Sequence, residues 1–500
     1  MWNMKNIVLS ILTMFLWTGC ADFLEEKSQS EVHPSTVTEM EKILQSNAYC
    51  NQTESRLFNY KTDIFTDDVE SQAVVTYNKE NVKDQQRWLF AWDPEMFNDA
   101  GGGSDVSFWA DPYKKIMGCN IVIDYIEEMD GDETRKNYLQ GEAYALRGYY
   151  YLYLINFFAK PYNEVEPSIE PGIPLKLSSG VVEVYPKRNT VGEVYAQITE
   201  DLQRGAELMK ENVYVDGLSL LRMNYLAAYA FLTRVYLYEE DWDNVIRYAD
   251  SVLLKKNDLL DLNEAGTFSV YDNGYQNEVL WMNNLNDSRD TPTGELGILY
   301  PFTASIDLQN VYASDQAGNT IDIRGNMGAE NTSATNAYLL RGNYWDRATN
   351  IRYPFVAGVD KCHRGNYGGG IRTAEVYLNR AEAYIAKYRE TGEASFGAAA
   401  LADLNELRRH RFQPGYVEAS LNDYANADEL MAFYFRERRR ELASEGNHRW
   451  FDLRRTGMPQ LIHVFNMTGG GTQRYILQQG DARYVLPIPE AVLEQNPNLR

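Results

Sequence analysis

Glu437-Arg-Arg-Arg-Glu-Leu-Ala-Ser-Glu-Gly-Asn-His-Arg-Trp-Phe-Asp-Leu-Arg-Arg455 crowds arginines, acids, a histidine and a tryptophan into one short stretch. As a binding patch it would offer guanidinium groups and an indole to a ligand. Its spacing favours a structural role. Arg438, Arg439 and Arg440 lie beside Glu437 and Glu441 on a helix, where near neighbours pair and hold two elements in register. The planar guanidinium fork suits carboxylates, and Trp450 and Phe451 then belong to the core.

Outward from that stretch, helical pairs recur. Between Glu142 and Phe158, Ala143, Leu146, Tyr150, Tyr153 and Leu154 share one helix face. Its partner starts at Thr190, which forms a capping box with Glu193 and is followed by the stripe Val191, Val194, Tyr195, Ile198 and Leu202. The proline-rich segment 161–187 between them predicts an extended excursion. A tighter pair spans Tyr225 to Tyr238, with small Ala227 and Ala230, a turn at Glu239 to Asp241, and a second helix from Trp242 through Leu253. A third runs from Arg372 to Lys387 and then from about Phe396 to Arg409. A small residue in the first helix, an aromatic near its end and a short turn resemble the tetratricopeptide repeat, but long insertions separate the units. The expected fold is mainly α: irregular tetratricopeptide-like pairs with long inserted loops and a few short strands. Segments 49–111 and 256–370 lack helical periodicity and are dense in Asn, Asp, Gly and aromatics, as functional loops on a rigid frame tend to be.

At the other end, Lys5, an apolar run from Ile7 to Trp17 and the small pair Thr18-Gly19 precede Cys20. The run is too short to span a bilayer and reads as the export signal of a lipoprotein, residues 1–19, cleaved before an acylated Cys20. Two or more acyl chains, at about 0.8 kcal/mol per buried methylene, hold a protein stably on a membrane. Residues 20–500 then form one domain, reached through a polar, acidic tether ending near Pro34. Removal of Lys5 takes the formal charge from −23 to −24. Such a surface repels nucleic acid and anionic polymers and favours neutral or cationic ligands. With Cys20 lipidated, Cys50, Cys119 and Cys362 allow at most one disulfide; whether Cys50 pairs with Cys119 is left open.

Several stretches together resemble the SusD/RagB-like outer-membrane lipoproteins of Bacteroidetes. They are Cys20-Ala-Asp-Phe-Leu-Glu25, Glu142-Ala-Tyr-Ala-Leu-Arg-Gly-Tyr-Tyr-Tyr151, Ala374-Glu-Val-Tyr-Leu-Asn-Arg-Ala-Glu-Ala-Tyr384, the stretch quoted above, Leu486-Pro-Ile-Pro-Glu490 and Asn496-Pro-Asn-Leu499. Two departures are Ser444, where the family commonly has phenylalanine, and the added Asn447. The resemblance implies a non-catalytic lipoprotein exposed on the outer membrane that captures oligosaccharide or polysaccharide for a SusC-type TonB-dependent transporter. Peptide capture is the alternative, and a surface glycoside hydrolase a third reading from a different class.

Sugar binding requires an exposed aromatic ring with polar groups beside it. Trp345 has Tyr344, Asn343, Asp346 and Arg347 next to it, with Arg352 and Tyr353 following; Trp88 follows Gln85, Gln86 and Arg87, with Tyr77 and Asn78 upstream. The candidate ligand residues are therefore Trp345, Tyr344, Arg352, Trp88, Tyr77 and Asn78. Trp92 and Trp281 rank lower, and Trp109 and Trp242 read as packing residues. Asp63, Asp67, Asp68 and Glu70 suggest either a structural calcium site or a carboxylate pair, yet no EF-hand spacing is present and a glycosidase pair leaves no fixed spacing to test. The five histidines form no H-E-x-x-H, no phosphate loop or nucleophile elbow occurs, and Cys362 beside His363 reads as solvated loop. No cofactor and no catalytic residue are expected.

Overall fold

The computed structural model describes residues 34–50, 62–72, 80–97, 107–181, 184–213, 220–264, 270, 278–286, 302–314, 321–325, 339–346, 351–359, 367–467 and 470–500. Cys20, Tyr77 and Asn78 lie outside them, and Tyr344, Trp345 and Arg352 are described through their backbone pairing.

Among the described residues the α-helices of seven residues or more are α1 (Val37–Ile43), α2 (Glu80–Phe90), α3 (Ser107–Tyr125), α4 (Glu133–Phe158), α5 (Val191–Glu211), α6 (Tyr225–Glu239), α7 (Trp242–Leu253), α8 (Thr373–Thr391), α9 (Ala394–Arg409), α10 (Ala427–Leu442) and α11 (His448–Arg455). The expected pairs are α4/α5, α6/α7 and α8/α9, and they stack in that order, α5 on α6 and α7 on α8. The Thr190–Glu193 capping box starts α5 as its sequence predicts. Glu240, left-handed at φ 60°, closes α6 in the tight turn.

Small residues set the closest helix approach. A Cβ built on Gly205 would lie 2.6 Å from the Gly141 carbonyl oxygen and 2.8 Å from the Ala145 nitrogen, so α4 and α5 meet backbone to backbone there. The same interface carries a buried ion pair, in which the Arg147 guanidinium donates to both Asp201 oxygens at 2.7 and 2.8 Å.

Among the described residues the strands form four two-stranded antiparallel ladders: β1 (Val69–Ser71) with β3 (Phe302–Ala304), β2 (Val279–Asn286) with β6 (Tyr367–Arg372), β4 (Leu339–Asp346) with β5 (Ile351–Val359), and β7 (Leu461–Asn466) with β8 (Thr472–Leu477). One large apolar core runs through the helical pairs, and a smaller cluster around Leu262, Val279, Met282 and Leu308 lies under the inserted segments. Segment 49–111 is less irregular than its composition suggested: it contains α2 and the start of α3.

The stretch 437–455 supplies α10 and α11 and is the strut that its spacing predicts. Arg438 donates to Asp452 (2.7 Å) and Asn379 (2.9 Å), Arg439 to Asp68 and Asp307 (both 2.7 Å), and Arg449 to Asp67 (2.7 and 2.8 Å). Glu437 and Glu441 receive Arg324, and Glu441 also receives Arg372 and Arg411, all fully buried. Burial opposes charge on Glu441, but Arg411, Arg372 and Arg324 outweigh it and hold its carboxyl well below the usual range. These bonds fasten the inserted segments 62–72, 302–314 and 321–325 to the helical frame. Trp450 is fully buried, stacked on Tyr484 with centroids 5.1 Å apart.

Candidate functional site

Trp88 sits near the C-terminal end of α2, with part of its indole packed on the core and part open. The Arg87 guanidinium lies over that ring, 5.6 Å from its centroid, an arrangement that cation–π attraction favours. Arg87 is half-buried and makes no hydrogen bond or ion pair among the described residues. Past the helix end the Asp93 amide donates to the Trp88 carbonyl (3.0 Å), and an Asp93 carboxylate oxygen accepts from the Glu95 amide (2.9 Å).

The C-terminal hairpin completes the surface. Tyr475 on β8 is half-buried; burial raises its phenol, Arg87 lowers it and Asp93 raises it again, so both charges act on the hydroxyl. Arg483, gripped by both Asp481 oxygens at 2.7 and 3.0 Å, also feels Asp93. A guanidinium over an indole thus lies within electrostatic reach of a phenol, which a carboxylate also influences, a set able to cover the apolar side of a pyranose and pair with its hydroxyls. Tyr475 was not among the residues that the sequence singled out. Alternating strands around Gly469-Gly470-Gly471 signal a hairpin, but its approach to a helix nearly 400 residues earlier is a long-range contact.

The second predicted cluster lies on a β-ladder. Trp345 is the register partner of Arg352, and Tyr344 of Tyr353. β5 contacts β3, β3 pairs with β1, β1 contacts β7, and β7 contacts α2, so a succession of neighbouring elements runs from the ladder of Trp345 to the helix of Trp88. The remaining tryptophans among the described residues pack into the frame. Trp92 and Trp281 are fully buried, the latter in edge contact with Tyr149 and Phe231, and Trp109 packs edge-on to Phe158. Trp242 donates to Glu390 at 3.1 Å.

Asp67 and Asp68 are held by Arg439 and Arg449, and Glu70 accepts from the Ile306 amide at 3.2 Å. No group of three or more His, Cys, Asp and Glu stands close enough to hold a metal among the described residues. Cys50 and Cys119 are both buried and are not joined in a disulfide, which answers the question of their pairing. Burial drives the Cys119 thiol far above its usual value, leaving it protonated and inert.

The fold and this surface define a repeat-scaffold protein that presents an aromatic and polar edge without a metal-binding cluster among the described residues. A family model described as starch-binding, associating with the outer membrane, matches residues 22–237, and the SusD family model matches residues 323–500. SusD-like protein P2 of Formosa agariphila is 24% identical over 428 residues, 79% of each chain. SusD-like protein P38 of the same organism is 30% identical over 142 residues, 28% of this chain and 27% of that one. A SusD-like carbohydrate binding protein of Bacteroides vulgatus shares the fold with TM-score 0.66 at 19% identity, covering 93% of this chain and 97% of that one. A SusD superfamily protein of Bacteroides thetaiotaomicron does so with TM-score 0.66 at 21% identity, over 93% and 99%. The chain belongs to the SusD family. Among the described residues no helix is long and apolar enough to cross a membrane.

Proposed function

We propose that this protein is a glycan-capturing lipoprotein, anchored through Cys20 on the outer face of the outer membrane, that passes oligosaccharide or polysaccharide to a SusC-type TonB-dependent transporter. The observation that carries the reading is the Arg87 guanidinium over the partly open Trp88 ring, with Tyr475 within the reach of its charge and that of Asp93. A flat ring offers its face to sugar C–H groups, Arg87 donates to hydroxyls and Asp93 accepts from them. Stacking and a few wet hydrogen bonds must offset the ordering of a flexible oligomer, so single-site affinity falls in the micromolar to millimolar range. Holding several sites of one polymer near a transporter mouth raises its effective concentration there, and weak sites permit release.

The protein acts by binding and needs no cofactor. Support comes from the acids of segment 62–72, where Asp67 accepts from Arg449 and buried Asp68 from Arg439, a structural use of both carboxylates. The test is calorimetric titration with soluble glycans, beginning with starch oligomers, on the wild type and on Trp88→Ala and Trp345→Ala. Loss of about tenfold or more in affinity in either variant supports the assignment; unchanged binding in both removes it. Binding of peptide mixtures with no response to any glycan would transfer the site to peptide capture.

A further inference from the structure

His463, on β7 and 3% exposed, makes contacts that a neutral imidazole cannot satisfy. Its Nδ1 lies 2.7 Å from the Phe90 carbonyl oxygen and its Nε2 2.9 Å from the Thr66 carbonyl oxygen. Carbonyl oxygens only accept, so each contact is a hydrogen bond only if that nitrogen carries a proton, and a neutral ring carries one. Among the described residues the other buried histidine, His448, shows the contrast. It turns Nδ1 to the Arg438 guanidinium at 3.3 Å, an obligate donor, and Nε2 to the Glu375 carboxylate at 3.2 Å, with Arg234 farther at 3.5 Å, so a single proton on Nε2 serves the two closer contacts.

The walls of the His463 site also suit a cation. The Phe90 and Trp92 rings stack on its two faces, with centroids 4.1 and 4.0 Å away and interplanar angles of 21° and 27°. Aromatic faces attract cations most strongly where water is excluded. Trp92 reaches this position with φ +51°, a left-handed backbone rare for a bulky residue, and its indole nitrogen donates to the Phe65 carbonyl at 2.9 Å. Burial pushes the imidazole down, to about 4. A neutral ring, however, would set a nitrogen lone pair against a carbonyl lone pair at hydrogen-bond distance with no water to intervene. The two carbonyls and the two ring faces decide for the charged form.

We infer that His463 is held as the doubly protonated imidazolium, a buried clamp that fixes the end of α2, and with it Trp88, to segment 62–66 and to the hairpin. His463 is a positioning residue, and that part of the inference rests on the reading of Trp88 as a ligand contact. The charged group that acts on the ring is Asp67, itself held by Arg449 and Arg439. On α2 the titratable residues are Glu80, Lys83, Asp84 and Arg87, with Asp93 just beyond, and Tyr475 stands opposite His463 in the ladder. A folded-state imidazolium adds stability that is present at low pH and lost as pH rises through its folded-state value. Deprotonation leaves either the Phe90 or the Thr66 carbonyl without its donor and loosens the end of α2.

The test uses the purified full chain labelled with 15N in its histidine rings, at pH 8, where an exposed imidazole is neutral. The expected result is a ring with both nitrogens protonated, assigned by its loss in His463→Gln or, should that variant not fold, by its shift in Trp92→Phe. A His463 ring with one bare nitrogen at pH 8 overturns the inference. The second readout is the 19F signal of Trp88 in 5-fluorotryptophan-labelled protein, assigned with Trp88→Phe. It should move at the pH where the second N–H is lost; a signal that stays fixed through that loss overturns the positioning role. Neither readout uses a ligand, so their failure is distinct from a failure to bind glycan.

Discussion

Replacing Arg324 by methionine tests whether the charged C-terminal stretch is a strut or a binding patch. Arg324 is fully buried and donates to Asp322 at 2.8 Å through both Nε and a terminal nitrogen, to Glu441 at 2.8 Å and to Glu437 at 2.6 Å. Glu441 keeps Arg411 and Arg372, and Glu437 keeps Arg440 at 3.0 Å. Asp322, also fully buried, keeps only its backbone bonds and Arg440 at 4.0 Å, so it is the stranded charge. Breaking a buried pair from one side costs about 3–5 kcal/mol, and we expect that loss in urea unfolding followed by circular dichroism. Burial already raises the Asp322 carboxyl against the pull of Arg324. Without Arg324 it rises further, so the deficit should shrink as pH falls and Asp322 takes up a proton. Adding Asp322→Asn should recover part of the loss, since the two effects are coupled. A single variant within about 1 kcal/mol of wild type, or a deficit that grows on acidification, would refute the strut.

Three further outcomes follow from packing, titration and the aromatic edge. Gly205→Ala gains helix propensity of about 1 kcal/mol, but its Cβ meets backbone at 2.6 and 2.8 Å; overpacking of about 1–3 kcal/mol should lower the thermal midpoint, and a raised midpoint would show that α4 and α5 separate freely. Burial, reinforced by Asp241, raises the Glu239 carboxyl to about 7 from 4.5, so the wild type loses stability as pH rises through that window. Glu239→Gln should be more stable at pH 8 by at most about 3 kcal/mol and unchanged near pH 4.5; equal urea midpoints at pH 8 would contradict the burial of that charge. Arg87→Ala should weaken glycan affinity without moving the unfolding midpoint, because Arg87 makes no bond to the frame among the described residues; a destabilised variant would make it a packing residue.

The helical frame was legible because its signals are local. The stripe of α4, the capping box of α5 and the turn between α6 and α7 each lie within a few residues of one another, and the boundaries fell within a few residues of expectation except at the start of α4, which reaches back to Glu133. The role of Glu437–Arg455 was legible from composition, but its partners were not: Asp322, Arg324, Arg372 and Arg411 come from distant segments. Helix α2 escaped notice because its residues Glu80–Phe90 are mostly polar, with only a short apolar end to mark a face. The edge around Trp88 was half legible. The indole and its arginine are adjacent in sequence, whereas Tyr475 and the His463 clamp arrive through tertiary contacts.

Titration of Tyr475→Ala beside Trp88→Ala with the best-bound soluble glycan tests the central claim most directly, since tertiary structure alone unites these two residues. The account expects each substitution to cost about 1 kcal/mol or more, roughly a tenfold loss of affinity at 1.4 kcal/mol, with unfolding midpoints little changed. Wild-type affinity in both variants would contradict it.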